Sequence, residues 1–231
     1  MELFYCNTIN ETHAIFDEQE STHCIRVLRH KAGDRIIFTD GKGKRYVGGI
    51  ETPHPKNCVV KIESSEEEQA AHAHLHIAIA PPKAIDRFEW FLEKATELGV
   101  NEVTPLLCRY SERKHLNMER CEKILVSSMK QSNRLFVPQF NAMMAYNSFM
   151  QQPLTGTKLI AHCEPSEKKM MKNIAPFNTK ITILIGPEGD FSKEEIEKAV
   201  SEKFEEITLG EKRLRTETAA IHVCSAVNLL I

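Results

Sequence analysis

The chain has 231 residues, of which 42% are hydrophobic and 27% are charged. These fractions are typical of a globular protein and exclude a fibrous or largely disordered one. The formal net charge at pH 7 is −2, so the chain lacks the bulk positive charge of proteins that coat nucleic acids. Its length allows one large domain, or a small domain joined to a medium one.

Cysteine usage and hydropathy indicate the compartment. The cysteines stand at positions 6, 24, 58, 108, 121, 163 and 224, and none forms a C-x-x-C pair. Neither a disulfide framework nor a zinc finger is therefore predicted. The longest apolar runs are too short to span a bilayer, and Met1–Asn10 lacks the basic and apolar blocks of a signal peptide. We expect a cytoplasmic protein with reduced thiols and no membrane association.

The N-terminal part has the pattern of a small β domain. Short alternating stretches at Arg35–Asp40, Arg45–Glu51 and Cys58–Glu63 are separated by glycine-rich turns. This spacing predicts a small β-barrel or sandwich. The polar and acidic stretch Ser64–Ala71 cannot supply a core face, so we place a domain boundary there, between residues 1–70 and 71–231.

A basic cluster lies inside this first domain. The segment from Arg26 to Arg45 contains seven lysine and arginine residues and two aspartates, which leaves a local excess of five positive charges. Such a cluster predicts a surface that contacts phosphates. A solvated hairpin surface without a ligand is the alternative interpretation.

After residue 71, short apolar strands alternate with longer helices, which is typical of an α/β sheet. The predicted strands are Leu75–Ala80, Val100–Leu107, Lys158–His162, Lys180–Ile185 and Glu206–Leu209. The predicted helices are Asp86–Leu98, Met118–Ser132, a helix that Ser192 and Glu195 open with a capping box and that ends near Lys203, and Thr216–Ile231.

Two loops, Ile185–Ser192 (IGPEGDFS) and Leu209–Ala219 (LGEKRLRTETA), follow predicted strands. In open α/β sheets, ligands bind at the carboxyl ends of the strands. Gly186 and Gly189 are expected to let the backbone approach a ligand, with positive φ at Gly189. A tight turn without a ligand is the alternative for the GPEG segment alone. The chain has no phosphate-binding P-loop and no G-x-G-x-x-G fingerprint, which disfavours a P-loop kinase or a dinucleotide-binding enzyme.

Taken together, these two loops resemble the signatures of the RsmE family of 16S rRNA uridine-N3 methyltransferases, which belongs to the SPOUT superfamily. The resemblance extends over nearly the full chain, in the same order. It includes Lys83, Pro105 and the segments His23–Arg29 (HCIRVLR), Glu97–Val100 (ELGV) and Gln131–Arg134 (QSNR).

The resemblance implies an α/β fold: a SPOUT-type domain with a trefoil-knotted parallel sheet at 71–231, preceded at 1–70 by a small PUA-like β-barrel that docks RNA. It also implies S-adenosyl-L-methionine as the cofactor and a homodimer formed through the C-terminal domain. The implied substrate is a uridine of 16S rRNA in the decoding region of the small ribosomal subunit.

Site residues are carried over by position. The implied cofactor-binding residues are Leu184, Ile185, Gly186, Pro187, Glu188, Gly189, Leu209, Gly210, Leu214, Arg215, Thr216, Thr218 and Ala219. The implied RNA-binding residues are His23, Arg26, Arg29, Lys42, Lys83, Arg109 and Arg113.

Methylation of uracil N3 requires loss of the imide proton and stabilisation of the charge that develops on the base oxygens. Arg215 and Arg134 are the candidates for that stabilisation, because a guanidinium stays protonated and offers a planar set of donors. Structural ion pairs with Glu217 or Glu188 are the alternative role for both arginines. Glu217 could accept the proton, but a carboxylate of ordinary pKa is a poor base for an imide, so the general base stays unassigned.

Three departures from the family pattern are Asp190 and Asn133, where glycine is usual, and Glu211-Lys212, where Pro-Arg is usual. Aspartate and asparagine tolerate left-handed backbone better than other non-glycine residues, so two of these changes are conformationally mild. Glu211 removes a rigid residue from a loop expected to wrap the cofactor. We therefore expect cofactor affinity to be the property most affected.

Alternate histidines His72, His74 and His76 share one face of a predicted strand, which is one requirement of a metal site. No cysteine or carboxylate of matching spacing accompanies them. We therefore predict a polar strand edge, and no metal. Two rival functions remain on the same scaffold: a non-catalytic RNA-binding or ribosome-assembly protein, and a SPOUT methyltransferase that acts on another RNA, such as a tRNA, or on a ribose hydroxyl.

Overall fold

The computed structural model describes residues 2–69, 73–174 and 180–230. The chain forms two compact units. The first comprises Met1–Ala70 together with Val126–Val137, and the second comprises Ala71–Leu125 and Pro138–Ile231. The return of Val126–Val137 to the first unit was not predicted from the sequence pattern.

The first unit contains one mixed sheet of six strands and a short helical segment. The strands are β1 (Leu3–Tyr5), β2 (Thr8–Ile9), β3 (His13–Ile15), β4 (Arg35–Thr39), β5 (Lys44–Thr52) and β6 (Val59–Glu67). Helix α1 (Glu18–Thr22) continues into a π-helical turn at His23–Val27. The strand order is β1-β4-β5-β6-β3-β2, so β1 and β2 lie at the edges of this half-barrel.

Alternation along the strands produces the core of this unit. In β4, Arg35 is exposed while Ile36 and Phe38 are buried, because successive side chains of a strand point to opposite faces. Phe38 packs edge-on against Phe16, which stacks on Phe4. The half-barrel therefore has an aromatic core of its own.

The acidic stretch after Glu63 continues β6 as far as Glu67, whereas the sequence pattern predicted that the strand ends at Glu63. Strand β6 extends to Glu67, and its last residues pair with the start of β5. Glu67 lies opposite Lys44, and Glu66 lies opposite Arg45. Opposite charges on paired strands stabilise a strand that has no apolar face, which the pattern of one segment alone does not reveal.

The second unit contains a parallel sheet with helices. Its strands are β7 (His74–Ile79), β8 (Glu102–Leu107), β9 (Gln139–Phe140), β10 (Met144–Ala145), β11 (Thr157–Ala161), β12 (Lys169–Met170), β13 (Lys180–Ile185) and β14 (Glu205–Thr208). Its helices are α2 (Ile85–Glu97), α4 (Tyr146–Phe149), α5 (Lys193–Ser201) and α6 (Thr216–Leu230), with a 3-10 turn at Met171–Asn173. Helix α3 (Met118–Gln131) begins in this unit and ends in the first.

The order of this sheet is β10-β8-β7-β13-β11-β14-β12, with β9 also paired to β8. Every pairing in it is parallel. The central strands β7 and β13 are almost fully buried, as expected of strands covered on both faces. Because the strands run in parallel, their carboxyl ends meet at one edge, and the loops that follow them lie side by side there.

Candidate cofactor and RNA site

A cavity of about 320 Å³ lies at the carboxyl ends of β11, β13 and β14, entirely within the second unit. Its walls come from the loops that follow these strands and from the first turn of α6. The lining residues are Ala161, His162, Cys163, Ile185, Gly186, Pro187, Glu188, Asp190, Ile207, Thr208, Leu209, Gly210, Lys212, Arg213, Leu214, Arg215, Thr216 and Ala219.

The loop after β13 is held by hydrogen bonds on both sides. The buried Thr216 hydroxyl donates to the Gly186 carbonyl at 3.0 Å. The Glu188 carboxylate accepts the backbone N–H of Lys83 at 3.0 Å, and the Glu188 carbonyl accepts from Arg213 Nη2 at 3.3 Å. The cavity wall is therefore pre-formed and does not depend on a single flexible loop.

The glycines of this wall act differently from the sequence-based expectation. Gly189 does not have positive φ, so that expectation was wrong, and Gly186 does not have it either. A Cβ at Gly186 would lie 3.1 Å from the Phe191 ring, and one at Gly189 would lie 3.0 Å from Tyr110 Cβ. Close packing requires these two glycines. Of the three glycines Gly186, Gly189 and Gly210, only Gly210 has a backbone conformation that favours glycine, with φ 144°.

The two substituted glycine positions do carry left-handed backbone. Asp190 has φ 67° and Asn133 has φ 55°, which confirms that these residues occupy conformations they tolerate. Asp190 also makes new contacts, because its carboxylate accepts the N–H of Cys163 at 2.7 Å and that of Phe191 at 2.8 Å. It thereby joins the loop after β13 to the loop after β11.

The loop after β11 forms a wall that the motifs did not indicate. His162 Nε2 lies 3.0 Å from Glu206 Oε1, and only 1% of the His162 side chain is exposed. Burial lowers the pKa of His162, so the ring is neutral at pH 7. Its Nδ1 is buried without a hydrogen-bond partner among the described residues. The rule that ligands bind at strand ends could have found this wall, since the strand itself was predicted.

The residues of the cavity suit a nucleoside with a charged amino-acid tail. Ile185, Ile207 and Leu209 line the cavity and offer apolar surface to a purine ring. The exposed side chains of Arg213 and Arg215 supply positive charge for a carboxylate. S-adenosylmethionine has this combination of groups.

Most of the predicted cofactor-binding residues meet at this cavity. Ten of the thirteen line it. The other residues are Leu184, Gly189 and Thr218, which do not line it. Leu184 is fully buried in the core of the sheet, and Thr218 is exposed on α6.

The three predicted catalytic residues are not gathered at the cavity. Arg215 lines it and is exposed. Glu217 is buried beside Arg87, with 3.9 Å between its Oε1 and Arg87 Nε, so Arg87 and not Arg215 is its partner. Arg134 belongs to the first unit.

The predicted RNA-binding residues of the first unit differ in their surroundings. Arg26, Arg29 and Lys42 are exposed, and none of them has an ion-pair partner among the residues described. His23 lies 2.6 Å from a Glu2 carboxylate oxygen.

Other basic residues of the cluster face carboxylates. Arg35 Nε donates to Glu63 at 2.7 Å, while Lys44 and Arg45 face the acidic end of β6. The charge excess counted along the sequence is therefore partly neutralised in the fold.

In the second unit, the predicted RNA-binding residues belong to the loops that follow β7 and β8. Lys83 Nζ pairs with Glu112 at 2.7 Å, and Arg109 Nη1 lies 3.5 Å from Glu194. Arg113 donates to the Pro82 carbonyl at 3.1 Å and to the Lys83 carbonyl, so its guanidinium also holds the loop after β7.

The histidine run does not form a metal site in the described part of the chain. His72 lies outside the described residues, and His74 lies 3.7 Å from Glu102. His76 is buried, with its Nε2 2.7 Å from Thr104 Oγ1. Over residues 2–69, 73–174 and 180–230, no group of three His, Cys, Asp or Glu side chains is placed to hold a metal ion.

No helix within these same ranges is both long and apolar enough to cross a bilayer.

Comparison with known proteins matches both units. Residues 68–228 match the profile of an RNA methyltransferase domain, and residues 16–63 match that of an RNA methyltransferase PUA domain. Among curated relatives, the ribosomal RNA small subunit methyltransferase E of Mesomycoplasma hyopneumoniae is 34% identical over 226 residues, covering 96% of each chain.

Solved structures give the same result. A probable rRNA-methyltransferase from Porphyromonas gingivalis has a TM-score of 0.93 at 37% identity, covering 100% of this chain and 98% of its own. The ribosomal RNA small subunit methyltransferase E of Neisseria gonorrhoeae, bound to S-adenosyl methionine, has a TM-score of 0.86 at 26% identity, covering 100% of this chain and 98% of its own.

Proposed function

Because this chain belongs to the family of ribosomal RNA small subunit methyltransferases E, we propose that it transfers the methyl group of S-adenosylmethionine to N3 of a uridine in 16S rRNA. The observation that carries the proposal is the cavity at the ends of β11, β13 and β14. It combines apolar walls with the exposed side chains of Arg213 and Arg215 in one unit.

The reaction determines which groups the protein must supply. The S–CH₃ bond of the sulfonium breaks, a C–N bond forms at N3, and the imide proton leaves the base. Arg215 lies at the start of α6 and lines the cavity, where its guanidinium can donate to uracil oxygens as they gain negative charge. The neutral ring of His162 and the backbone of the two loops are proposed to hold the cofactor.

Glu217 is proposed to orient α6 and not to accept the proton. Its carboxylate is buried beside Arg87, and it does not line the cavity. The proton acceptor stays unassigned, and Arg134 keeps its proposed role in stabilising charge on the base.

The partner and the assembly of the chain are also proposals. We propose that the partner is the small ribosomal subunit in the cytoplasm, and that two copies of the chain form a homodimer through the second unit. Exposed apolar side chains on α2 and α6 support this: Trp90 is 44% exposed and Leu229 is 83% exposed. Light scattering should give twice the 26.3 kDa mass of one chain, and the mass of one chain would contradict the dimer.

The role of Arg215 is tested by single-turnover methylation at saturating RNA and cofactor. Charge that develops only in the transition state makes the contribution of Arg215 kinetic, so Arg215→Ala should slow the reaction about a hundredfold while both dissociation constants change only a few-fold. Arg215→Lys should restore little, because an ammonium does not reproduce the planar fork. A normal rate in a folded Arg215→Ala protein would remove this residue from the mechanism.

A further inference from the structure

Tyr110 is an exposed aromatic residue beside the cofactor cavity. The proposed function assigns no role to this residue. Half of its surface is exposed, and it follows the carboxyl end of β8. A Cβ added to Gly189 would lie 3.0 Å from Tyr110 Cβ, so Tyr110 lies directly against the loop after β13. The ring therefore stands at the rim of the cofactor cavity.

The turn that carries Tyr110 is fixed by hydrogen bonds. Cys108 N–H donates to the buried Ser111 hydroxyl at 3.0 Å, and Ser111 N–H donates to the Cys108 carbonyl at 3.1 Å. Arg109 N–H donates to Glu195 Oε1 at 2.8 Å, which ties the turn to the start of α5. Little backbone entropy is therefore lost when a ligand packs against the ring.

One cation lies beside this ring, and two more are carried by the neighbouring loops. The Arg109 guanidinium lies 6.0 Å from the ring centroid, and Lys83 and Arg113 occupy the adjoining loops. Within the described part of the chain, Tyr110 contacts no other aromatic ring. An exposed ring beside cations matches the chemistry of an unstacked nucleotide, in which the base stacks and the phosphate meets the cation.

We propose that Tyr110 stacks on an unpaired base of the substrate RNA next to the target uridine. This inference rests on the proposed function. Glu188 and Asp190 line the cavity, but Gly189, the residue that Tyr110 packs against, does not. The ring thus stands outside the space that holds the methyl donor, and the base it stacks on is a neighbour of the one that is methylated.

Such a surface meets a physical need of the reaction. Enzymes that modify a base within a folded nucleic acid draw it out of the stack into their active site, and its neighbour then loses a stacking partner. An aromatic ring at the rim replaces that partner. Tyr110 is thus a positioning residue that acts on RNA affinity.

The test uses the full chain and small ribosomal subunits that lack the methylation. Tyr110→Leu, which keeps an apolar side chain without a planar ring, should weaken subunit binding about 5- to 150-fold, the range expected for loss of one base–aromatic stack. Tyr110→Phe should bind within about twofold of the wild type, because the ring is retained. The cofactor dissociation constant and the single-turnover rate at saturating subunits should stay within about threefold for both variants.

Wild-type subunit affinity in Tyr110→Leu would overturn the proposal, as would an equal loss in Tyr110→Phe. A loss confined to the saturated rate would also overturn it, because the ring would then act on the target base itself. Failure of the wild-type protein to methylate would overturn the proposed function instead, while the comparison of binding constants would still decide the role of Tyr110.

Discussion

Gly210 is the residue of the cavity wall with a backbone conformation reserved for glycine. Its φ of 144° lies where L-residues are strained, although a Cβ there would meet nothing within 4 Å. Strain of about 1–3 kcal/mol would move the loop out of its binding shape. Gly210→Ala should therefore weaken cofactor binding about tenfold in calorimetry.

The matched control is Gly33→Ala in the first unit, at φ 87° with nothing within 4 Å of an added Cβ. This change should lower the melting temperature and leave the cofactor affinity intact. Equal cofactor affinities in wild type and Gly210→Ala would show that the loop conformation does not control binding.

His76 should make stability depend on pH. Burial lowers the pKa of His76 to about 4, although the negative charge of the nearby Glu102 partly opposes this shift. The hydroxyl of Thr104, which accepts from Asn141, can donate to His76 Nε2 and so favours the neutral ring. The unfolded chain binds this proton below about pH 6.5 and the folded chain only below about pH 4, so this contribution to stability is complete above pH 6.5 and is lost as the pH drops towards 4.

The expected loss is at most about 3 kcal/mol in the free energy of unfolding. Urea denaturation at pH 7 and pH 4.5 would measure it. His76→Gln should show a smaller difference between the two pH values than the wild type. The same pH dependence in both proteins would assign the effect to other groups.

At single positions, sequence reasoning succeeded where a residue's own conformational preference decides the outcome. Asp190 and Asn133 were expected to tolerate left-handed backbone, and both adopt it. It failed at Gly189, because the need for glycine there comes from Tyr110, which is distant in the sequence. It also missed His162, which belongs to no motif and is recognised only by its burial in the cavity wall.

At the scale of elements, the start of α5 links the cofactor loop to the loop after β8. The predicted capping box is present: the Ser192 hydroxyl accepts Glu195 N–H, and Glu195 Oε2 accepts Ser192 N–H at 2.8 Å. The other oxygen of Glu195 accepts Arg109 N–H. One carboxylate therefore satisfies donors of two elements.

Glu195→Gln should cost about 1–2 kcal/mol, because one oxygen becomes an NH₂ that faces an N–H donor. The control is Glu194→Gln, whose pair with Arg109 joins two exposed side chains at 3.5 Å and should contribute about 0.5 kcal/mol or less. Chemical denaturation measures both. Equal losses in the two variants would contradict the bridging role of Glu195.

Long elements were predictable from periodicity, and short ones were not. Strand β13 has its predicted ends, and α2 and α3 lie within one residue of theirs. The two- and three-residue strands, such as β2 and β12, carry too few side chains to show a period. The continuation of β6 into an acidic sequence depends on charges in β5, so only pairing reveals it.

At the scale of the whole molecule, we expect the basic cluster of the first unit to bind RNA through the exposed cations that have no ion-pair partner among the described residues, such as Arg26 and Arg29. Neutralising Arg26 and Arg29 together should weaken RNA binding and lower the slope of log K against log salt by up to about two units. The control replaces Arg35 and Lys44, which face Glu63 and Glu67 and should matter less.

Cofactor affinity should be unchanged in both double variants. A salt slope equal to that of the wild type in the Arg26 and Arg29 variant would remove these residues from the RNA interface.

The central claim is that this chain methylates uracil N3 in 16S rRNA. The direct measurement is mass spectrometry of nucleosides from small subunits lacking the modification, after incubation with the protein and isotope-labelled S-adenosylmethionine. The account predicts labelled N3-methyluridine, approaching one per 16S rRNA, and almost none with Arg215→Ala over a single-turnover interval. Cofactor and subunit binding without label in the RNA, or label on a ribose hydroxyl or only in tRNA, would contradict it.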